Sequence, residues 1–159
     1  MDFNIEEIKQ FIRNTSPSTE IFIGTDSERY KRKDNWYADY TTAIVIHYDG
    51  CRGCKVFGKI ETEKDFDQRR DKPVYRLMNE VMKTTQMYLE LAECIEDRHF
   101  EIHLDINPDV IYGSSCVVQQ AIGYVRGMCG IEPMIKPNAP AASYCADRLK
   151  EILNYKEVA

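Results

Sequence analysis

Several features are missing from this 159-residue chain, and each absence removes a class of function. No run of about 18 apolar residues occurs, which excludes a membrane-spanning helix. The opening residues, MDFNIEEIKQ, are acidic and hold no apolar signal core, so a cytoplasmic location is expected. There is no Gly-rich phosphate loop, no G-x-S-x-G elbow and no H-E-x-x-H pair, which leaves metal-assisted hydrolysis as the main enzymatic option. Repeats, linkers and low-complexity tracts are also lacking. Residues 1–159 therefore read as one domain, with an N-terminal helix within 1–15 and a core over about 20–153.

Positive charge is in short supply too. Lys and Arg number 21 against 26 Asp and Glu, for a net charge of −5. Nucleic-acid binding by charge alone asks for a basic surface, and globally there is none. Two local clusters, RYKRK at 29–33 and Arg69–Arg70, read either as phosphate contacts or as solvated loop charge. Six cysteines are present, but no second close pair accompanies Cys51-x-x-Cys54, so a four-ligand zinc site is not expected. Cys94, Cys116, Cys129 and Cys145 lie within apolar patterns and are expected to be buried thiols.

What is present suffices for a globular core: 43% apolar and 30% charged residues. Ile5, Ile8, Phe11 and Ile12 recur at helical spacing behind an N-capping Asn4. Three strands follow, at 20–25, 37–48 and 54–61, the last two joined by the turn residues Asp49, Gly50 and Gly53. After a charged loop, Pro73 suits the first turn of a long helix over 73–97. Its apolar stripe is read as Val74, Leu77, Met78, Val81, Met82, Thr85, Leu89 and Ala92. A strand at 99–106, a helix at 114–129, a short strand at 131–136 and a helix at 140–153 complete the chain. Pro133 marks the fifth strand as an edge strand. In the last helix Ala141, Ala142, Cys145, Leu149 and Ile152 are predicted to face inward.

This order, a β meander followed by α-β-α-β-α, predicts an α/β domain with one mixed sheet covered by helices. Strands joined by helical crossovers run parallel. Strands 1 and 4 therefore point the same way, and their carboxyl ends meet where the chain changes direction across the sheet. Ligands bind at such switch points. Asp26 ends strand 1 in IFIGTDS and Asp105 ends strand 4 in EIHLDIN. Two carboxylates side by side repel unless a cation or a proton lies between them, and oxygen ligands favour Mg²⁺ or Mn²⁺. The helices that follow parallel strands start at the same edge, which brings in Glu80 and Asp147. At about 100° per residue, Glu80 lies on the flank of its helix's stripe, whereas Asp147 lies nearly opposite its own.

The segments IGTDS (23–27), RLMNE (76–80), HLDI (103–106) and KPNAPAASYCAD (136–147) resemble the ribonuclease H-like YkuK family over roughly residues 20–150. The resemblance implies a ribonuclease H-like fold: a five-stranded mixed sheet, order 3-2-1-4-5, with helices on both faces. It also implies a catalytic and metal-binding acidic site at Asp26, Glu80, Asp105 and Asp147. Ser27 stands where many ribonuclease H-like nucleases have glycine.

Around the acidic site, Lys136 is a candidate phosphate or carboxylate contact, Asn107 a substrate contact or turn residue, and Ser27 and Ser143 supporting donors. His103 shares a strand face with Asp105 and is an outside candidate for proton transfer. Trp36, Tyr30, Tyr37 and Tyr40 flank the RYKRK cluster, either stacking bases or packing the strand 1–2 connection. The leading expectation is a Mg²⁺- or Mn²⁺-dependent nuclease acting on RNA or DNA. The alternatives are a catalytically inactive module of the same fold that binds nucleic acid or a protein partner, and a nucleotide-handling protein.

Overall fold

A computed structural model describes residues 3–50, 52–67 and 70–158. Cys51 and Arg69 fall outside the described residues. The chain folds as helix α1 (Ile5–Arg13), strands β1 (Glu20–Arg32), β2 (Asn35–His47) and β3 (Cys54–Lys64), and helix α2 (Val74–Ile95). Strand β4 (His99–Leu104) and helices α3 (Val118–Cys129) and α4 (Ala146–Val158) follow. As expected, the Asn4 side chain accepts hydrogen bonds from the amides of Glu6 and Glu7, the first at 3.1 Å. The start of α2 is capped from a distance: Asp67 accepts from the amides of Tyr75 and Arg76 at 2.8 and 2.9 Å.

The sheet has four strands in the order β3-β2-β1-β4, with β1 parallel to β4 and antiparallel to β2. The expected fifth strand is a correction. Residues 131–136 do run parallel beside β4, and Met134 exchanges hydrogen bonds with Ile102 and Leu104 at 2.8 and 2.9 Å. Yet only one bridge forms, His103 to Met134. Beyond it the Lys136 amide donates to the Ile106 carbonyl at 3.0 Å, and Pro133 and Pro137, with φ held at about −65°, keep the flanking backbone from extending into a regular strand.

Alternation along the strands sorts the two faces. Ile21, Ile23, Ile44 and Ile46 pack against α1 and α2, through Ile8, Ile12, Met87 and Leu91. Ile102 and Leu104 continue that layer against α2 and α3, through Leu77, Val81, Ala121 and Val125. On the opposite face, register aligns Gly58, Ala43, Gly24 and His103 in one row across the four strands. The row is flat because three of its members are small. A π-helical turn, Ala141–Cys145, lies directly on it and leads into α4. A β-carbon at Gly24 would fall on the backbone of Ala141 and Ala142, 2.8 Å from the Ala141 carbonyl carbon.

Four further readings change. Strand β1 runs to Arg32 rather than ending at residue 25, so most of the RYKRK cluster is strand, not loop. Arg29 lies over the Trp36 ring at 4.2 Å, and Tyr30 stacks on Tyr37 at 6.1 Å, consistent with the packing role for these aromatics. Helix α2 buries Leu77, Glu80, Val81, Thr84, Thr85, Met87 and Leu91, leaving Val74, Met82 and Leu89 exposed. Its inward stripe was mis-set because two polar positions, Glu80 and Thr84, belong to it. Ile152 is exposed rather than inward-facing. Of the thiols expected to be buried, Cys94 is, Cys129 and Cys145 are partly so, and Cys116 is exposed. Among the described residues no helix is long and apolar enough to cross a membrane.

Candidate metal and substrate site

The site grows out of one pair in the sheet. Thr25 and Leu104 are the last residues paired between β1 and β4. The next residue on each chain is a carboxylate, Asp26 and Asp105. Neighbouring strands lie about 4.8 Å apart, so register alone sets these two residues side by side. Both belong to the sheet face that carries the π-turn and α4.

Glu80 arrives from the other face. It projects from α2 and is buried, 4% exposed. The Ser27 hydroxyl donates a short hydrogen bond to its Oε1. Arg76, one helical turn earlier on α2, donates to the Ser27 carbonyl and to its Oγ at 2.9 and 3.0 Å. The guanidinium thus holds the serine, and the serine holds the carboxylate. Asp105 is held from the π-turn side: Ser143 Oγ donates to its Oδ1 at 2.9 Å, and Lys136 Nζ lies 2.8 Å from the same oxygen.

Electrostatics follow from this crowding. Burial, then the charge of Asp105, pushes the Asp26 carboxyl up to about 6. Burial and the charge of Asp26 raise Glu80 well above the ordinary carboxylate range. For Lys136, burial opposes the ammonium, but the Asp105 hydrogen bond and the charges of Asp105, Asp26 and Glu80 outweigh it, and the pKa rises.

Asp26, Ser27, Glu80, Asp105 and Lys136 line one open cleft of about 940 Å³. Asp147 does not line it. That residue sits in the first turn of α4, exposed, yet close enough for its charge to raise Asp26. The helical-wheel position assumed an unbroken α-helix. A π turn spends more residues per revolution, so it rotates everything after it. Asn107 also lies outside the cleft and lines an adjoining hollow. Its carbonyl oxygen accepts from the Asp109 amide at 3.0 Å, which is the turn-shaping role.

His103 does not reach the cleft. It is 1% exposed, its Nε2 lies 2.7 Å from Glu101, and its Nδ1 accepts the Ala141 amide at 3.0 Å. Both ring nitrogens are engaged, Nδ1 in pinning the π-turn to β4 and Nε2 with Glu101 of the same strand, which leaves none for proton transfer. Burial lowers its pKa against the pull of Glu101.

Sequence reasoning did not find Arg76, nor the wall formed by Val110, Ile111 and Tyr112. A signal existed for each. Arg76 precedes Glu80 by four residues on one helix, the spacing of facing side chains. The VIY triplet is an apolar run with neither helical nor strand partners in its pattern.

Among the described residues, no group of three or more His, Cys, Asp or Glu side chains is arranged to hold a metal ion. Serine and lysine partners occupy the carboxylates instead. The donor chemistry nevertheless suits a hard divalent cation: it is all oxygen, and burial together with the neighbouring carboxylate charge raises Asp26 and Glu80.

No curated protein and no solved structure matches the chain. The ribonuclease H-like family model matches residues 4–151, nearly its whole length. The chain belongs to the ribonuclease H-like YkuK family.

Proposed function

We propose that this protein is a divalent-metal-dependent nuclease. The observation that carries the reading is the convergence of Asp26, Asp105 and buried Glu80 at one end of the β1–β4 pair, with Asp26 raised to about 6. A structural cluster of carboxylates would be neutralised by neighbouring basic residues on all sides. Here Lys136 pairs directly with Asp105, while Arg76 and Lys150 reach Glu80 and Asp26 only through their charge, and burial with carboxylate repulsion still raises both.

Asp26 and Asp105 would hold Mg²⁺ or Mn²⁺, with Glu80 and Asp147 completing the set. Such an ion supplies an activated water and charge stabilisation for in-line displacement at phosphorus. The chain's own residues do the positioning. Ser27 and Arg76 fix Glu80; Ser143 fixes Asp105; Lys136 offers a positive charge to a phosphate at the cleft mouth. The substrate is RNA or DNA, brought to an acidic protein by the basic residues Arg70, Lys72, Arg76 and Lys136 on the cleft wall.

A second reading has its own support. The Lys136–Asp105 ion pair and the Ser27–Glu80 hydrogen bond already satisfy two carboxylates, as in a binding module without turnover. One assay separates the two. Labelled RNA, DNA and hybrid substrates are incubated with Mn²⁺ and either the natural chain or Asp26→Asn. The nuclease reading expects cleavage that falls at least about 100-fold in the variant. Cleavage that survives the substitution rules the mechanism out, and binding without cleavage favours the module.

A further inference from the structure

The cleft does not end at the carboxylates. A second hollow of about 510 Å³ shares Tyr112 and Lys136 with it and continues to Asn107, Ser143 and Tyr144. Together they make one continuous track: Tyr112 and Lys136 line both hollows, and Tyr144 lines the second. Tyr112 is 51% exposed and Tyr144 73%. Among the described residues neither ring stacks on another aromatic, whereas several aromatics elsewhere in the fold do, as in the pairs Tyr88–Phe100 and Tyr30–Tyr37. Next to Tyr112, Val110 and Ile111 are 88% and 77% exposed, so this wall shows three successive large apolar side chains to solvent. Packing within the chain does not account for them. A bound partner with flat apolar faces and negative charge does.

Charge selects the partner. Lys136 shares the second hollow with both rings, and Arg70 and Lys72 line the cleft. The Lys136 ammonium spends one of its three donors on Asp105 and keeps two for an anion. Aromatic platforms alternating with cations are how proteins hold unpaired bases and their phosphates. A duplex hides its base faces in the stack and offers nothing to such rings.

We propose that this track binds an unpaired nucleic-acid strand, with Tyr112 and Tyr144 stacking bases and Lys136 holding a phosphate. The proposal rests on the reading of the cleft as a nucleic-acid site. It adds that the strand enters single-stranded, or is opened before it enters.

The test is fluorescence anisotropy on the full chain carrying Asp26→Asn, in EDTA, so that no turnover occurs and no metal contributes. The probes are one labelled strand of mixed sequence, as DNA and as RNA, and each annealed to its complement. Single strands are expected to bind at least about tenfold tighter than duplexes. Tyr112→Ala and Tyr144→Ala should each weaken single-strand binding about tenfold, the scale of base–aromatic stacking. Tyr→Phe at either position should retain it, because the ring remains. Trp36→Ala serves as the control, since this exposed aromatic lines neither hollow. Both tyrosines are largely solvent-exposed, and unchanged melting midpoints would show that their variants fold. Equal affinity for duplex, single-strand binding indifferent to both tyrosines, or an equal loss in the Trp36 control would overturn the proposal. Any of these alongside Mn²⁺-dependent cleavage would leave the nuclease reading standing. No binding to any probe, with no cleavage, would remove both.

Discussion

Asp26→Asn should make the protein more stable above neutral pH. In the folded chain the Asp26 carboxyl is raised from an ordinary 3.8 to about 6, by burial and by Asp105. A raised carboxyl binds its proton more tightly when folded than when unfolded. Its contribution therefore favours the fold below the unfolded value. That advantage is lost as pH climbs from 3.8 towards 6, and above that the folded state carries a charge it resists. A shift of about two pKa units at about 1.4 kcal/mol each sets the upper bound near 3 kcal/mol. Asparagine keeps the shape and removes the charge. Part of the gain is forfeited because the amide desolvates without a new partner, so about 1–3 kcal/mol should remain at pH 8. For a chain of this size that is a rise of roughly 2–10 °C in melting midpoint. Differential scanning fluorimetry in EDTA from pH 4 to pH 8 reads it directly. The two proteins should converge at pH 4, where folded Asp26 is already protonated. A variant that is no more stable than the natural chain at pH 8, or whose gain is the same at pH 4, would refute the claim that Asp26 is held charged against burial and a neighbouring carboxylate.

Gly24→Ala should be severe, because the added methyl meets the Ala141–Ala142 backbone rather than a flexible side chain. A loss of about 2–4 kcal/mol is expected from chemical denaturation, with activity falling as Ser143 is pushed away from Asp105. His103→Ala removes the acceptor for the Ala141 amide and leaves that buried N–H unsatisfied, which should cost about 1–3 kcal/mol. Amide exchange at Ala141 is the specific readout; a His103→Asn variant that restores an acceptor should restore protection, and failure to do so would count against the pinning role.

Much of the framework was legible because it rests on period and direction. Apolar runs ending in IGTD and HLDI placed Asp26 and Asp105 just past the paired segment of β1 and β4, although β1 itself runs on beside β2 to Arg32, and the hairpin-then-crossover order made those strands parallel. Three features escaped for physical reasons. The fifth strand failed because Pro133 and Pro137 fix φ away from extended values on either side of Met134, a constraint that composition signals but does not decide. The inward face of α2 was misread because Glu80 and Thr84 point to the sheet on account of the partners they find there. Thr84 donates to Thr25 Oγ1 at 2.8 Å, and Ser27 donates to Glu80. Polarity alone assigns such residues to solvent. The third is the π-turn over Gly24, which interrupts the helix expected over 140–153, although Asp147 is exposed as its place opposite the apolar stripe implied. That turn is dictated by the close approach of two backbones, a tertiary contact that no local pattern announces. The same holds for Tyr112 and Tyr144, far apart in sequence and joined only by the loop geometry around Lys136.

The central claim is that Asp26 and Asp105 share a divalent cation. Crystals grown with Mn²⁺ and measured for its anomalous scattering test it most directly. The account predicts a peak bonded to carboxyl oxygens of both residues at about 2.1–2.2 Å, with Lys136 displaced from Asp105. No peak at saturating Mn²⁺, or carboxyl oxygens of the pair more than about 8 Å apart, would contradict it.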